Sequence, residues 1–301
     1  MPPPIILIHR GDSFYLAHTI AQARSSNPQS RLILLGDRSN SFYLGIEHHR
    51  YEDYFEEARE FSKLFTYEYF PNYQYPWILF CHQKYFALRD FVRAQGIDKF
   101  LLIDSDVLLY EPIGPYFEHY KDAKLTVTAP SQMHTAAAGF ALVNDPLIID
   151  ELCRTYRRLF SGEATTALHS IRTPSFTEMV GLYQLWQNNL STVRNNYELE
   201  ETFVINPSVL EDGRFLHHKG MVTTRWVIGV PYLTHLETQR PLKSPILHFH
   251  GHAKKQMRQY LRLKGTVVLL QHAVNRSISA AAKYPMRLIN WLAGRAIFPG
   301  I

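Results

Sequence analysis

Two aspartates close a short apolar run near the middle of the chain, and their spacing could hold a metal ion. The run is Phe-Leu-Leu-Ile at 100–103, and Asp104-Ser105-Asp106 follows it directly. A bounded apolar run of this length is typical of a parallel strand covered on both faces. In open α/β sheets, ligands lie beyond the carboxyl ends of the strands. Carboxylates there can hold a hard divalent cation, which in turn suits diphosphate oxygens, so the motif predicts a metal–diphosphate site.

A second motif lies far downstream, after the short apolar segment Pro245-Ile246-Leu247. It reads His-Phe-His-Gly-His-Ala-Lys from His248 to Lys254. An imidazole can bind a transition metal such as Mn²⁺ beside carboxylates, a glycine lets the backbone approach a phosphate, and a lysine can neutralise that phosphate. The spacing of His248, Gly251 and Lys254 therefore predicts a diphosphate clamp. The alternative interpretation is a histidine-rich surface loop.

The elements that must position these motifs are predicted to form an α/β domain. Apolar runs and breakers predict strands at 5–8, 31–35, 100–103, 125–129 and 139–143, and helices at 12–26, 51–65, 78–94, 146–160 and 177–187. The β-α-β order at the start of the chain favours a parallel sheet. Residues 203–232 are predicted to be strand and loop, and residues 256–301 to be largely helical.

Charge is unevenly distributed along the chain. Residues 1–237 contain 21 basic and 27 acidic residues, a net charge of −6, whereas residues 238–301 contain eleven basic residues and no acidic one. A basic segment of this kind indicates an anionic partner, such as a phosphate, a nucleic acid or a membrane surface.

Cysteine content indicates a reducing compartment. Cys81 and Cys153 are the only cysteines in 301 residues, which excludes a disulfide framework and a thiolate metal site. No signal peptide is recognisable, because the apolar segment at 5–8 is too short, and no run reaches the ~20 apolar residues of a spanning helix. A cytoplasmic protein is expected, and Cys81 is interpreted as a thiol of the core.

Taken together, the two motifs resemble those of glycosyltransferases with the GT-A fold, especially the group that includes glycogenin and the bacterial lipopolysaccharide galactosyltransferases. That group has a D-x-D motif closing a central strand and an H-x-x-G-x-x-K motif near the end of the catalytic domain. The resemblance covers residues 4–256. It implies an α/β, Rossmann-like GT-A domain at 1–255, with a mixed, mostly parallel sheet flanked by helices. A basic helical C-terminal extension would follow at 256–301.

The resemblance also implies a metal and diphosphate site. Asp104 and Asp106 would bind Mn²⁺ or Mg²⁺, with Asp106 the more direct ligand and Asp104 also near the donor sugar. His248 would be the third metal ligand. Gly251 and Lys254 would contact the diphosphate of the donor.

The donor nucleotide is expected to lie against the first strand and its loop. By resemblance, the segment from Ile8 and His9 to Asp12 would line the nucleotide base. Ser105 would lie in the donor site between the two aspartates of the D-x-D motif.

Three further residues have both a functional and a structural interpretation. Lys84, on the helix before the D-x-D strand, would either reach the donor or be a solvated helix lysine. Gly139 would either border the donor sugar or form a tight turn into a strand. Glu178 would either be an acid favoured in the first turn of a helix by its dipole, or contact a sugar. If the enzyme inverts, Glu178 could be the general base, but the resemblance implies retention, which requires no base.

These observations predict a metal-dependent hexosyltransferase that uses a nucleotide-sugar, with uridine diphosphate (UDP) as the expected nucleotide and Asp104, Asp106 and Glu178 as candidate catalytic residues. One alternative is a D-x-D phosphotransferase or phosphatase with a nucleophilic aspartate. Another is a catalytically silent GT-A-like binding protein.

The predicted partners are the donor and an acceptor that is a glycan, a lipid-linked glycan or a protein; no nucleic-acid partner is expected. The extension at 256–301 mixes seven basic residues with leucine, valine, tryptophan and phenylalanine. That mixture predicts peripheral contact with an anionic membrane, at its inner face, and the alternative is a helix packed on the domain with a solvated basic face.

Overall fold

The computed structural model describes residues 2–65, 75–130, 134–161, 177–210 and 212–282. Its strands are β1 (Ile5–Ile8), β2 (Leu32–Gly36), β3 (Glu47–Arg50), β4 (Phe100–Ile103), β5 (Val107–Leu109), β6 (Leu125–Val127), β7 (Phe140–Val143), β8 (Val193–Asn195), β9 (His217–His218), β10 (Met221–Val222), β11 (Thr224–Val227), β12 (Val230–Thr234), β13 (Pro241–Lys243) and β14 (Ile246–His248). Its α-helices are α1 (Leu16–Ser26), α2 (Glu56–Ser62), α3 (Tyr75–Ala94), α4 (Gly114–His119), α5 (Leu147–Phe160), α6 (Glu178–Asn188) and α7 (Thr266–Ala282).

The main sheet is mixed and mostly parallel, as predicted. Among the described residues its seven strands run in the order β3-β2-β1-β4-β7-β6-β8. The pairs β1–β2, β1–β4, β2–β3 and β6–β8 are parallel, whereas β7 is antiparallel to both β4 and β6. The D-x-D strand β4 is therefore central, between β1 and the antiparallel β7.

Helices cover both faces of this sheet, which explains why its strands are apolar without alternation. Ile6 and Leu102 point into one core with α3 and α5, and Leu7 and Leu101 point into the other with α1 and α4. Successive side chains on a strand point to opposite faces, so a strand covered on both faces must be apolar at every position.

Smaller antiparallel sheets follow the main one in the chain. Strands β11, β12 and β13 form a three-stranded sheet, β9 pairs with β10, and β14 pairs with β5. A third core, which includes Leu108, Leu233, Leu247 and Phe249, lies under them. The β5–β14 pair belongs to this region, and it joins the D-x-D segment to the downstream motif.

Three predicted helices differ from the structure at their ends, and the one predicted at 78–94 begins earlier, at Tyr75. The first begins at Leu16 rather than Asp12, because the chain turns at Gly11, whose φ is +83°. The segment predicted as one helix at 51–65 is a 3₁₀ turn, Tyr51–Tyr54, followed by α2, because the backbone leaves the helical region at Phe55.

The described part of the C-terminal extension, residues 256–282, is helical except at 261–265. A 3₁₀ helix, Gly251–Tyr260, runs through the predicted boundary between residues 255 and 256, and α7 follows it. Residues 283–301 of the predicted extension lie outside the described residues. Across the described ranges, no helix combines the length and the hydropathy that crossing a bilayer requires.

Candidate active site

Strand pairing brings the two sequence motifs together. The D-x-D motif turns between β4 and β5, and β14 pairs antiparallel with β5 so that His248 lies opposite Val107. The amide of Phe249 donates to the carbonyl of Asp106 at 2.9 Å. Two segments that are 142 residues apart in sequence thus meet at the carboxyl end of the parallel strands, where α/β folds bind ligands.

Asp106 is the centre of the joined motifs. Its carboxylate is buried, with Oδ1 3.2 Å from His248 Nε2 and Oδ2 3.0 Å from Lys254 Nζ. Burial alone would raise the pKa of the Asp106 carboxyl, but His248 and Lys254 hold that pKa below its ordinary value. The side chain is therefore a carboxylate at neutral pH, and it sits among cationic or neutral donors.

His250 joins Asp106 and His248 in a set of atoms that could bind a metal. One ligand atom from each of the three residues lies within 4.8 Å of the others, and the two imidazole centroids are 3.7 Å apart. His250 follows β14 on extended backbone, and side chains two residues apart on such backbone point to the same side. Burial lowers the pKa of His250 to about 4, with His248 acting in the same direction, so this imidazole is neutral at neutral pH.

Gly139 makes room for the His248 ring. It precedes β7, and its carbonyl accepts a 3.0 Å hydrogen bond from the amide of Asp104. A Cβ at this position would lie 2.5 Å from His248 Cε1 and 2.9 Å from Nδ1, closer than carbon and nitrogen atoms approach without displacement. From the sequence, Gly139 is interpreted either as a sugar contact or as part of a tight turn. The structure shows a further reason for glycine at this position, which is its close packing against the His248 ring.

Lys84 and Glu178 form a second charged group with Asp104, the first aspartate of the D-x-D motif. Lys84 Nζ is 3.4 Å from Asp104 Oδ1 and 4.0 Å from Glu178 Oε1. The lysine side chain is only 13% exposed, so the alternative of a solvated helix lysine is wrong. Burial would lower the pKa of Lys84, but Asp104 and Glu178 raise it well above its ordinary value, so this ammonium is charged.

Glu178 is an acid in the first turn of a helix, as its structural interpretation has it, and its side chain also reaches the cleft. It is the first residue of α6, whose N-cap Thr177 accepts a 3.3 Å hydrogen bond from the amide of Met179. Its carboxylate is nevertheless 15% exposed and faces Lys84 in the cleft. Burial raises the pKa of Glu178, and Asp104 adds to this effect while Lys84 opposes it.

The loop after β1 is held against the D-x-D motif. His9 Nδ1 and Ser105 Oγ are 2.9 Å apart, and the carbonyl of Ser105 accepts a 2.6 Å hydrogen bond from Thr19. Burial lowers the pKa of His9 to about 4, so the imidazole is neutral. Its Nε2 is buried and has no hydrogen-bond partner among the described residues, which leaves one polar atom for a ligand.

Asp12 contacts both the domain and α7. Its carboxylate accepts hydrogen bonds from Tyr43 Oη at 2.6 Å and from Ser279 Oγ at 2.8 Å. Its neighbours Arg10 and Ser13 line the cleft, and Asp12 is not among the lining residues. The nucleotide contact of Asp12 stays a prediction, and the contact with Ser279 attaches α7 to the domain.

The downstream glycine and lysine begin the 3₁₀ helix. Gly251 has a φ of +49° and nothing within 4 Å of its missing Cβ, so the backbone here is open to a ligand. Lys254 lies one turn later, with its Nζ 4.8 Å from the centre of the Tyr15 ring as well as bound to Asp106. The ammonium is thus at the cleft wall, 28% exposed.

Part of this set lines a cleft of about 480 Å³, within the ~300–1,000 Å³ typical of ligand sites. Gly139, His248, His250 and Gly251 are not among its lining residues. Besides the predicted Ile8, His9, Lys84, Asp104, Ser105, Asp106, Glu178 and Lys254, its walls include Arg10, Ser13, Tyr15, Pro76, Trp77, Phe80 and Cys81. Cys81 is buried, as interpreted, and it also forms part of the wall. The aromatic wall was not predicted, because it comes from α3 and the loop after β1, neither of which carries a motif.

No family model matches the chain, and no curated protein matches it. Solved structures are similar. Mouse xyloside xylosyltransferase 1 has a TM-score of 0.50 at 10% identity, over 70% of this chain and 89% of that one. The galactosyltransferase LgtC, solved with donor and acceptor sugar analogues, has a TM-score of 0.44 at 13% identity, over 89% and 99%. A glycosyltransferase involved in glycosylation of the major capsid of PBCV-1 has 0.43 at 12% identity, over 86% and 99%.

The comparison with the xylosyltransferase establishes the fold. At 10% identity the two chains share architecture over most of the length of the mouse protein. The predicted fold class, an α/β GT-A domain with a mixed, mostly parallel sheet between helices, is confirmed.

Proposed function

We propose that this protein is a metal-dependent glycosyltransferase that moves a sugar from a nucleotide donor, with UDP as the nucleotide. The observation that carries the proposal is the meeting of Asp104-Ser105-Asp106 with His248 and Lys254 at the ligand-binding edge of the sheet. A GT-A fold with such an edge needs a cation and basic groups to hold a donor diphosphate, and both requirements have candidate residues here.

The residues at this edge fit a divalent cation, and they favour Mn²⁺ over Mg²⁺. Asp106, His248 and His250 supply one carboxylate and two imidazoles; Asp106 and His248 are buried and His250 is exposed. Mg²⁺ prefers oxygen ligands, whereas imidazole suits first-row transition metals. When bound, the cation would act as a Lewis acid that offsets charge on the leaving diphosphate.

Lys254 is proposed to serve the diphosphate as well as Asp106. Its ammonium is bound to the carboxylate and remains 28% exposed at the cleft wall, beside the open backbone at Gly251. A flexible lysine can keep one acidic partner and add another, because its ammonium has three donors. His9 and Arg10, at the same wall, are proposed to contact the nucleotide.

Asp104, Lys84 and Glu178 are proposed to hold the donor sugar. The lysine bridges the two acids, so the three side chains form one charged unit in the cleft wall. Both carboxylates can accept hydrogen bonds from sugar hydroxyls, and Lys84 fixes their positions. We propose transfer with retention, in which Glu178 orients the sugar and is not a general base.

Phosphoryl transfer through a nucleophilic aspartate has less support. Asp106 is already bound at both oxygens, to His248 and to Lys254, and Asp104 is bound to Lys84. A nucleophilic carboxylate needs one oxygen free to attack phosphorus. By this criterion Asp106 is arranged as a ligand or as a partner of cations, whereas Lys84 contacts only Oδ1 of Asp104.

The test is hydrolysis of a panel of sugar nucleotides in the presence of Mn²⁺, with p-nitrophenyl phosphate run beside it. Release of UDP from one or more UDP-sugars, dependent on Mn²⁺, is expected. Cleavage of the phosphate ester alone would support the phosphatase alternative. UDP binding by calorimetry with no release from any donor would mean a silent binding protein.

A further inference from the structure

Helix α7 is attached to the domain by polar contacts. His272 Nε2 is 2.9 Å from His18 Nδ1, Asn275 makes hydrogen bonds of 2.8 and 3.0 Å with the backbone of Leu44, and Ser279 binds Asp12. Within the described part of α7, the buried residues are His272, Asn275 and Ser279, spaced three and four apart. The inner face of this helix is therefore polar.

The outer face of the same helix is apolar. Val267, Leu270, Val274 and Ile278 are 66%, 63%, 41% and 37% exposed, and they recur every three or four residues. Residues with this spacing form one stripe along a helix. An ordinary surface helix buries such a stripe against the protein. In α7 the arrangement is the reverse, because the apolar stripe is exposed.

A second apolar side chain projects near the start of α7. Ile228 and Gly229 form the two-residue turn between β11 and β12, and both have positive φ, 51° and 80°. Turns of this kind favour asparagine or glycine, and a β-branched residue at positive φ is strained. Ile228 is also 88% exposed, so packing within the described chain does not explain it.

The turn and the helix belong to one basic surface. A Cβ at Gly229 would lie 3.9 Å from Arg262 Cβ and from Lys264 Cε, and Arg262 stacks on Trp226 with its guanidinium 3.8 Å from the ring centre. These two cations directly precede α7 in sequence. No acidic residue occurs after Glu237, so α7 and the segment before it carry basic residues only, although Asp12 of the domain contacts Ser279.

We propose that α7 and the Ile228 turn form a docking surface for an anionic lipid bilayer. Val267, Leu270, Val274, Ile278 and Ile228 would enter the boundary between headgroups and acyl chains. Arg262 and Lys264 would lie at the anionic headgroups. Apolar side chains flanked by cations are what an interfacial helix requires.

The charge of this surface favours a bilayer over a second copy of the chain. A two-fold contact through α7 would bring two basic segments together, which costs free energy by repulsion. An anionic bilayer instead attracts the cations and buries the apolar stripe.

The test measures binding of the full chain to vesicles of phosphatidylcholine alone and of phosphatidylcholine with phosphatidylglycerol, by flotation. We expect binding to the anionic vesicles, weakened by salt, and little binding to the neutral ones. The double variant Leu270→Gln, Val274→Gln should bind about tenfold more weakly, since it removes two apolar side chains from the lipid contact. Ile228→Asn should weaken binding about threefold without loss of thermal stability, because asparagine suits the turn.

Leu147→Gln is the matched control. Leu147 is 66% exposed, like Leu270 at 63%, but lies on α5, so this variant should bind as the wild type does. Three results would overturn the proposal. The first is equal binding to both vesicles, or none. The second is unchanged binding of the α7 and Ile228 variants. The third is a dimer in sedimentation that the α7 variants dissociate, which would identify a second copy as the partner.

Discussion

In the cleft, buried polar side chains face a common cavity, and some of their hydrogen-bonding atoms are left for a ligand. At α7, the buried polar side chains are paired with groups of the domain. His9 Nε2 illustrates the first case, and the pair His18–His272 illustrates the second. What each region offers to a partner differs accordingly: charges and imidazoles in the cleft, and an apolar stripe on the outer face of α7.

The difference teaches that the type of residue alone does not identify a site. The chain has 15 histidines, and those at 9, 18, 248, 250 and 272 are all buried or in close contact with another ring. Only position in the fold separates a candidate ligand such as His248 from a helix contact such as His272. The predictions below test that separation, from the largest expected effect to the smallest.

Asp106→Asn should remove the metal-supported binding of UDP. An amide carries no charge, so it would weaken the metal contact and leave Lys254 without its carboxylate. We expect the affinity for UDP with Mn²⁺ to fall by about 100-fold or more, measured by isothermal titration calorimetry. Asp98→Asn, at an exposed position, is the control. An unchanged affinity in folded Asp106→Asn protein would refute the metal assignment.

Gly139→Ala should weaken Mn²⁺ binding about 10- to 100-fold, the range seen when residues that orient metal ligands are changed. The new Cβ would meet the His248 ring at 2.5 Å and displace it. Electron paramagnetic resonance of Mn²⁺ reports the affinity directly. Gly114→Ala adds the same methyl group where nothing lies within 4 Å, so it should change nothing. Equal affinities for both variants would mean that His248 does not hold the metal.

Glu178→Gln should lower turnover about tenfold and leave the anomer of the product unchanged. Glutamine keeps an acceptor for a sugar hydroxyl but loses the charge opposite Lys84. A general base would instead cost about 10²–10⁴ in rate. Rates with the best donor and the product anomer by nuclear magnetic resonance distinguish the two. A loss in that larger range, with an inverted product, would contradict retention.

The α7 contact should be sensitive to acid. Burial lowers the pKa of His18 to about 3 and of His272 to about 4, with neighbouring cations and, for His18, the other imidazole acting in the same direction. The unfolded chain takes up protons below its ordinary pKa of 6.5 while the folded one does not. Stability is therefore constant above that pH and falls as pH drops toward 4, by about 2 kcal/mol per histidine at about pH 5.

His272→Gln removes one of these titrating groups and keeps a hydrogen-bonding side chain. The melting temperature of the variant should fall less steeply than that of the wild type between pH 6.5 and pH 4, the range set by the two pKa values, and the two curves should run parallel above it. Identical slopes would show that the His18–His272 contact does not control the acid response.

The sequence by itself determined the sheet and the two motifs. Unbroken apolar strands followed by Asp104-Ser105-Asp106 require a sheet covered on both faces with carboxylates at its edge, because burial and the period of a strand leave few alternatives. The uneven charge was also visible without a structure. Helix ends were less certain, as at 51–65, because a single residue, Phe55, interrupts the helix through its backbone conformation.

Only the tertiary structure decided what each polar residue does. Pairing of β5 with β14 placed His248 on Asp106, and the extended backbone after it brought His250 to the same side. Close packing against the His248 ring explains why residue 139 is a glycine. The Lys84 side chain is buried beside Asp104 in the cleft. Tertiary contacts also bind Asp12 to Ser279 of α7 and leave the apolar side of α7 exposed. These are contacts between residues far apart in sequence, and local patterns carry no information about them.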